Sequence, residues 1–302
     1  MKEKRIVVVG SCNTDMVVRV DHLPLPGETI IGYDFITNQG GKGANQAVAV
    51  SRLGGSVSFV ARVGADSFGE HSIELLKEEG IDVSFVKQTE GVPTGVALIP
   101  VDSKGENSII VASGANAQLS EQDIIDAQDI IKRADVLLMQ LETPIETILA
   151  AARMAHAQGA MVILNPAPFP KEPLPAELLE LVDIITPNET EASMMSGIQV
   201  VDEESAANAI AEIQSMGVGS VIITAGGKGA YTLNDGTLCC VPAYPSEVVD
   251  TTAAGDTFCG ALSVALCEGN PLLEGIRFAN KAASISVTRV GAWCSIPRRS
   301  EL

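Results

Sequence analysis

The chain has 302 residues, 46% hydrophobic and 19% charged, a composition that supports a large packed core and excludes a disordered chain. Aromatics are only 4%, so the core material is mostly Ala, Val, Ile and Leu, the mixture of parallel sheets covered by helices. Lys plus Arg is 20 and Asp plus Glu is 38, and the resulting net charge of −18 argues against nucleic acid and against an anionic membrane surface as partners.

Residues 6–9 form a strongly apolar run, too short for a signal-peptide core of roughly 7–15 residues. No later run approaches the ~20 residues that cross a bilayer, so the chain reads as cytoplasmic. Short β-rich runs at 6–9, 57–60, 136–139, 161–164, 184–185 and 221–223 read as buried strands. Helical periodicity lies between them, as in Ile145, Ile148, Leu149 and Ala152, and in Ala206, Ala209, Ile210 and Ile213 before Gly217. The alternation predicts an α/β fold: a doubly wound, mostly parallel sheet flanked by helices.

Two stretches break the alternation. Residues 15–38 show a two-residue rhythm (Val18, Val20) and a Pro/Gly turn at 23–27, then a second extended run at 28–35. Residues 94–112 read as a hairpin with its turn at 102–105. Together they predict a small antiparallel sheet, a β lid hinged over the carboxyl ends of the main strands. The domain assignment is a core of 1–12, 39–93 and 113–302, with a lid of 13–38 and 94–112. The string Gly40-Gly-Lys-Gly-Ala44 recurs at Gly226-Gly-Lys-Gly-Ala230 with different flanks, which reads as two separate glycine turns. The six cysteines include no C-x-x-C pair and no Cys/His cluster, so zinc is not expected. His22, His71 and His156 are isolated, and Trp293 reads as packing.

Four blocks carry chemistry. Gln39-Gly-Gly-Lys-Gly-Ala-Asn-Gln46 runs into a helix predicted over 47–53; its glycines admit a ligand, and Lys42 and Asn45 supply donors. It lacks the Walker P-loop spacing. Asp250-Thr-Thr-Ala-Ala-Gly-Asp-Thr-Phe258 opens an apolar helix, where small residues leave N–H groups bare for an anion and Asp256 stands beside them as a base. Asn188-Glu-Thr-Glu191 either steers a hydrated Mg²⁺–phosphate or simply caps a helix. Thr224 to Gly229 is a glycine-rich turn where a nucleotide can lie.

In this order and spacing, and with Leu164-Asn-Pro-Ala-Pro168, the blocks resemble the ribokinase-like (PfkB) carbohydrate kinase family over essentially the whole chain. The resemblance implies ATP-dependent phosphorylation of D-ribose at its 5-hydroxyl. By similarity, Asn13, Asp15, Gly41, Lys42, Gly43, Ala44, Asn45 and Glu142 bind the sugar, and Asp256 is the catalytic base. The backbone of Ala253, Ala254, Gly255 and Asp256 forms the anion hole. Asn188, Thr224, Ala225, Gly226, Gly227, Lys228 and Gly229 contact ATP, with Asn280 near the adenine, and Glu191 organises Mg²⁺ through water. A K⁺ site is implied at Asp250, Thr252, Ser286, Arg289, Gly291 and Ser295, several through backbone carbonyls. Many relatives have Gly where Ala253 stands, whereas Ala is common in the ribose-phosphorylating branch. Cys12 receives no role.

Two other readings remain open from sequence: a kinase of a related sugar or nucleoside, and a non-catalytic sugar or nucleotide sensor, which would need no base. The lid's four short strands leave one apolar face and two edges needing cover. A second copy supplies that cover, and the resemblance points the same way, to a homodimer joined through the lids.

Overall fold

The computed structural model describes residues 4–302; residues 1–3 of the predicted 1–12 core segment lie outside the described residues. In chain order the elements are β1 (Arg5–Val9), β2 (Asn13–Arg19), β3 (Asp34–Gly40), α1 (Lys42–Arg52), β4 (Ser56–Gly64), α2 (Ser67–Glu78), β5 (Asp82–Thr89), β6 (Gly95–Val101) and β7 (Ile110–Ala112). There follow α3 (Glu121–Asp126), α4 (Gln128–Ile131), β8 (Val136–Met139), α5 (Ile145–His156), β9 (Met161–Leu164), α6 (Ala176–Leu181), β10 (Ile184–Ile185), α7 (Glu189–Ser196) and α8 (Glu203–Ser215). The chain ends with β11 (Ser220–Thr224), β12 (Ala230–Asn234), β13 (Thr237–Val241), α9 (Ala254–Cys267) and α10 (Leu272–Ser286), plus short 3-10 turns.

The large sheet runs β13-β12-β11-β10-β9-β8-β1-β4-β5, parallel from β11 to β5 and antiparallel at the β11–β12–β13 edge. Successive side chains of a strand point to opposite faces, and the two faces bury different sets. Ile6 and Val8 of β1 pack with Val57, Phe59 and Leu138 under α1, α9 and α10. Val7 and Val9 join Val60, Leu137 and Met139 under α5 and α8. Both faces are covered, which is why these strands read as continuous apolar runs. Strand order reverses at β1, which has β4 on one side and β8 on the other. In open α/β sheets a crevice forms there, beyond the carboxyl ends of the strands.

Every strand expected from an apolar run is present. Three others carried weaker signals. β5 is a partly exposed edge strand mixing polar with apolar residues. β12 and β13 are short arms joined by Asp235 and Gly236, both at positive φ, the two-residue hairpin turn that Asp-Gly favours. Helix α1 starts at Lys42, earlier than the predicted 47, because Gly41 at φ +87° turns the chain abruptly into the helix. Lys42 to Gln46 are therefore helical rather than loop residues.

The small sheet has the order β3-β2-β6-β7. Its outer pairs are antiparallel, and its central pair, β2 with β6, is parallel. The parallel seam follows from topology: β2 and β6 each leave the carboxyl end of a core strand, β1 and β5, and so run the same way. Residues 20–33 are irregular apart from turns, so the second strand of the first segment begins at Asp34 rather than at 28. Val20 is buried beyond the end of β2, whereas Phe35, Leu98 and Ile110 lie on the exposed outer face with Val18.

Candidate active site

The carboxyl ends of β1, β8, β9, β10 and β11 converge on the start of α9. Helices α1 and α9 pack closely because Gly260 has no side chain: a Cβ there would come within 2.5 Å of Ala49 and 3.0 Å of the Gln46 carbonyl. That approach brings two amides of α1 to Asp256. Asn45 Nδ2 donates to Asp256 Oδ2 at 2.9 Å, and Gln46 Nε2 donates to Oδ1 at 3.0 Å. Gln46 is itself held, since its Nε2 also reaches Asn165 Oδ1 at 3.3 Å and its Oε1 accepts from Gln140 Nε2 at 2.6 Å. Asp256 is buried and oriented by these neutral amide donors.

The backbone before Asp256 is shaped for an anion. Ala253 sits at φ +58°, in the left-handed region, where an L-residue carries a strain of about 1–2 kcal/mol. This explains why Gly suits the position as well. The Ala254 N–H closes a turn onto the Thr251 carbonyl at 3.2 Å. The N–H groups of Gly255 and Asp256 have no acceptor among the described residues and lie unpaired in the first turn of a mostly buried helix. Of the four predicted hole residues only Ala254 has its N–H engaged; that of Ala253, like those of Gly255 and Asp256, has no acceptor among the described residues.

The sugar-side residues meet on the other flank of Asp256. Glu142 Oε2 accepts from Ser11 Oγ at 2.5 Å and from the Lys42 N–H at 3.0 Å. Gly43 is wedged against the segment that follows β1, where a Cβ would come within 2.6 Å of the Ser11 nitrogen and 2.7 Å of the Gly10 carbonyl carbon. Gly40 is needed beside Asp15, whose carboxyl oxygen would lie 2.2 Å from a Cβ. Asp15 is pushed up to about 7 by burial and by the neighbouring charges of Glu142 and Asp256. Lys42 has its pKa raised: burial works against the charge, but Asp256, Glu142 and Glu191 together outweigh it. Asn45 Oδ1 is buried with no partner among the described residues, an acceptor left for a ligand. Burial pushes the thiols of Cys12 and Cys259 up to about 12, which makes both poor nucleophiles.

Two cavities adjoin at the head of α9. One, of about 200 Å³, is lined by Lys42, Asn165, Asn188, Glu191, Ala253 and Asp256. The other, of about 230 Å³, is lined by Gly226, Gly227, Gly229, Tyr244, Phe258 and Asn280. Thr224, Thr251, Ala254 and Gly255 line both, so one elongated ligand can span them. In the second cavity, Asn280 Nδ2 is bound to the Val241 and Pro242 carbonyls at 2.9 and 3.1 Å. Ala225 and Lys228 do not line it; Lys228 turns outward to Glu189 at 3.0 Å.

Asn188 and Glu191 form a reciprocal cap on α7: the Glu191 N–H donates to Asn188 Oδ1 at 2.8 Å and the Asn188 N–H to Glu191 Oε2 at 2.9 Å. The helix-cap reading and the cavity-facing reading are thus both realised. Burial raises the Glu191 pKa against the opposing pull of the Asn188 N–H and Lys42. Asp250 ties two loops together, accepting from Thr252 N at 2.9 Å and from Gly291 N at 2.8 Å. Ser286 and Ser295 are fully buried nearby in the chain, and the Arg289 side chain leaves this loop to pair with Glu301.

Sequence reasoning assigns no site role to Ser11, Gln46, Gln140 or Asn165. The usable signal was their type and place: polar residues in or beside otherwise apolar buried segments need partners. Asn165 lies in the Leu164–Pro168 string, and Gln46 directly follows Asn45.

Comparison with known proteins agrees with this geometry. The pfkB family carbohydrate kinase model matches residues 3–299. Ribokinase of Haemophilus influenzae is 45% identical over 298 residues, covering 99% of this chain and 97% of that protein. Ribokinase of Staphylococcus aureus is 40% identical over 300 residues, covering 99% and 98%. The structure of Arabidopsis thaliana ribokinase complexed with ribose and ATP superposes with a TM-score of 0.92 at 37% identity, covering 99% of this chain and 97% of that one. With a buried carboxylate at the head of α9, bare N–H groups beside it and a family match along nearly its entire length, the chain belongs to the pfkB family of carbohydrate kinases.

Proposed function

We propose that this protein transfers the γ-phosphoryl group of ATP to the 5-hydroxyl of D-ribose, giving ribose 5-phosphate and ADP. The observation that carries the reading is Asp256, held at both oxygens by Asn45 and Gln46 and standing beside the free N–H groups of Gly255 and Asp256 where two cavities meet. The full-length likeness to ribokinases, one of them solved with ribose and ATP, supports the choice of sugar and nucleotide.

Asp256 takes the proton of the 5-hydroxyl while that oxygen attacks the γ-phosphorus and the bond to the bridging oxygen of ADP breaks. Negative charge on the transferring group faces the Gly255 and Asp256 N–H donors, fixed before the reaction begins. Asn13, Asp15, Lys42, Asn45 and Glu142 position the sugar, and proximity supplies much of the rate. The triphosphate extends over Thr224 and Asn188 into the glycine-lined cavity, with the adenine beside Asn280.

Glu191, with one carboxylate oxygen outside its cap, fits a Mg²⁺ held mainly by phosphate and water. The ion supplies charge neutralisation to ATP. A K⁺ fits Asp250, whose carboxylate has no cationic partner among the described residues, with Thr252, Ser286, Gly291, Ser295 and the Arg289 backbone completing the set. Its contribution is to stiffen the loop ahead of the anion hole.

The small sheet serves as a lid over the sugar, and its exposed outer face (Phe35, Leu98, Ile110) pairs with a second copy in a homodimer. No helix of the described residues is long and apolar enough to cross a membrane, in keeping with a cytoplasmic enzyme.

One assay tests the reading: ATP consumption with D-ribose, 2-deoxyribose, fructose, adenosine or no sugar, run in potassium and in sodium salts. Ribose should dominate, with higher rates in potassium. A clear preference for adenosine or fructose would replace ribose, and sugar-independent or absent turnover would refute the kinase.

A further inference from the structure

An amide side chain has a donor on one arm and an acceptor on the other, and its partners decide which arm faces a ligand. The partner of Asn13 is Asn116, in the 3-10 turn Gly114–Gln118 that follows β7. Asn116 is anchored by backbone groups whose polarity is not in question. The Cys12 N–H donates to Asn116 Oδ1 at 2.8 Å, and the Cys12 carbonyl accepts from Asn116 Nδ2 at 3.3 Å. With its oxygen thus assigned, Asn116 Nδ2 donates to Asn13 Oδ1 at 2.6 Å. Both side chains are buried, at 1% and 3% exposure. The pair also occupies room that only glycine leaves, since a Cβ on Gly95 would lie 2.3 Å from Asn116 Nδ2 and from Asn13 Oδ1.

We infer that Asn116 is a positioning residue for the sugar: by occupying Asn13 Oδ1 it commits Asn13 to presenting N–H, so this position reads a sugar oxygen as a hydrogen-bond acceptor. The inference rests on the sugar role proposed for Asn13. Asn45 is set the opposite way, because its Nδ2 is given to Asp256 and its Oδ1 is left free. The two asparagines thereby offer opposite polarities to one ligand, a device that discriminates between hydroxyl arrangements without changing the volume of the site. The setting is made where the small sheet joins the core: Cys12 precedes β2, Gly95 opens β6 and Asn116 follows β7.

The test is the Asn116→Asp variant beside Asn116→Ala. A carboxylate at 116 still accepts the Cys12 N–H, but its second oxygen demands a donor and turns the Asn13 amide around. A buried acceptor then faces the sugar oxygen, and the ribose KM should rise about tenfold or more. The kcat should stay within about threefold and the ATP KM within about twofold, since neither phosphoryl transfer nor nucleotide binding is touched. Asn116→Ala leaves the Asn13 amide free to rotate and should raise the ribose KM less. A merely structural tie predicts the reverse order, with Ala at least as damaging as Asp, and that order overturns the inference. Asn13→Ala separates the two levels: an unchanged ribose KM there means that Asn13 does not bind the sugar at all. A raised KM in Asn13→Ala, with no effect in Asn116→Asp, removes only the polarity assignment. Should Asn116→Asp fail to fold, the wild-type enzyme decides, because its assigned Asn13 side-chain amide protons must shift and exchange more slowly on adding ribose. Unchanged protons overturn the proposal.

Discussion

The strings Gly40-Gly-Lys-Gly-Ala44 and Gly226-Gly-Lys-Gly-Ala230 are identical, and the chain uses them in opposite ways. The first crosses from a strand of the small sheet into α1, pressed against the backbone of residues 10–13; its lysine sits among three carboxylates. The second is an exposed turn between β11 and β12. Gly227 has open space around it, Lys228 points outward, and only Gly229 is confined, by the Val241 carbonyl at 2.1 Å from a Cβ. Glycine allows a sharp turn in both. What differs is the surroundings: one string is enclosed by β1 and α9, the other by solvent and an open cavity. The contrast shows that a short motif acquires its chemistry from what packs against it.

That contrast is exposed to several measurements. The largest effect belongs to Asp256, which the first string serves through Asn45. Asp256→Asn should lower kcat by ~10²–10⁴-fold while sugar binding and folding persist. Turnover above about a tenth of wild type would show that Asp256 is not the base. Next comes Gly43→Ala, whose methyl group meets the Gly10–Ser11 backbone just beyond β1 and cannot be relieved by a rotamer change. It should cost about 1–3 kcal/mol or more in stability and displace Lys42 and Asn45, with a loss of kcat/KM to match. Near-normal thermal melting and activity would show that the enclosure of the first string is loose.

A smaller effect concerns the acids that surround Lys42. Asp15 has its folded pKa raised from an ordinary 3.8 to about 7, so folding favours its protonated form. Its contribution to stability is present below about pH 4 and is lost as pH rises through about 7. Asp15→Asn should therefore melt higher than wild type without ligands at pH 8, with the difference shrinking at pH 5, while ribose binding is impaired. An equal difference at both pH values would contradict the crowding of Asp15 with Glu142 and Asp256. The smallest effect is expected in the second string. Lys228→Ala removes a surface ion pair with Glu189, and stability should change by only ~0–1 kcal/mol with kcat nearly unchanged. A loss of kcat comparable to that of Gly43→Ala would erase the distinction between the two strings.

The parts legible from sequence were those written locally. Core strands such as β1 and β8 are continuous apolar runs, and Asp256 stands in a block of small residues that announces a helix start. What stayed hidden depends on pairing between distant segments. Nothing around residue 116 indicates that its side chain clasps Cys12, and nothing around Gln140 points to Gln46. Sequence misplaces the start of α1 because Gly43 inside a helix conflicts with propensity and is there for its close contact with the Gly10–Ser11 backbone. The parallel seam of the small sheet was likewise invisible, because strand direction there is set by the core strands that feed it.

That seam also dictates an order of events as the chain folds. Strands β2 and β6 pair along their full lengths, yet β3, α1, β4, α2 and β5 lie between them in the chain. Closing so long a loop is entropically unfavourable until the intervening elements have condensed onto β1, so the seam belongs to the late stage of refolding. Substitutions in it should accelerate unfolding more than they slow folding. The nucleotide cavity, built from β11 to α10, needs no part of the seam. A refolding molecule should therefore acquire its grip on ATP before its grip on the sugar.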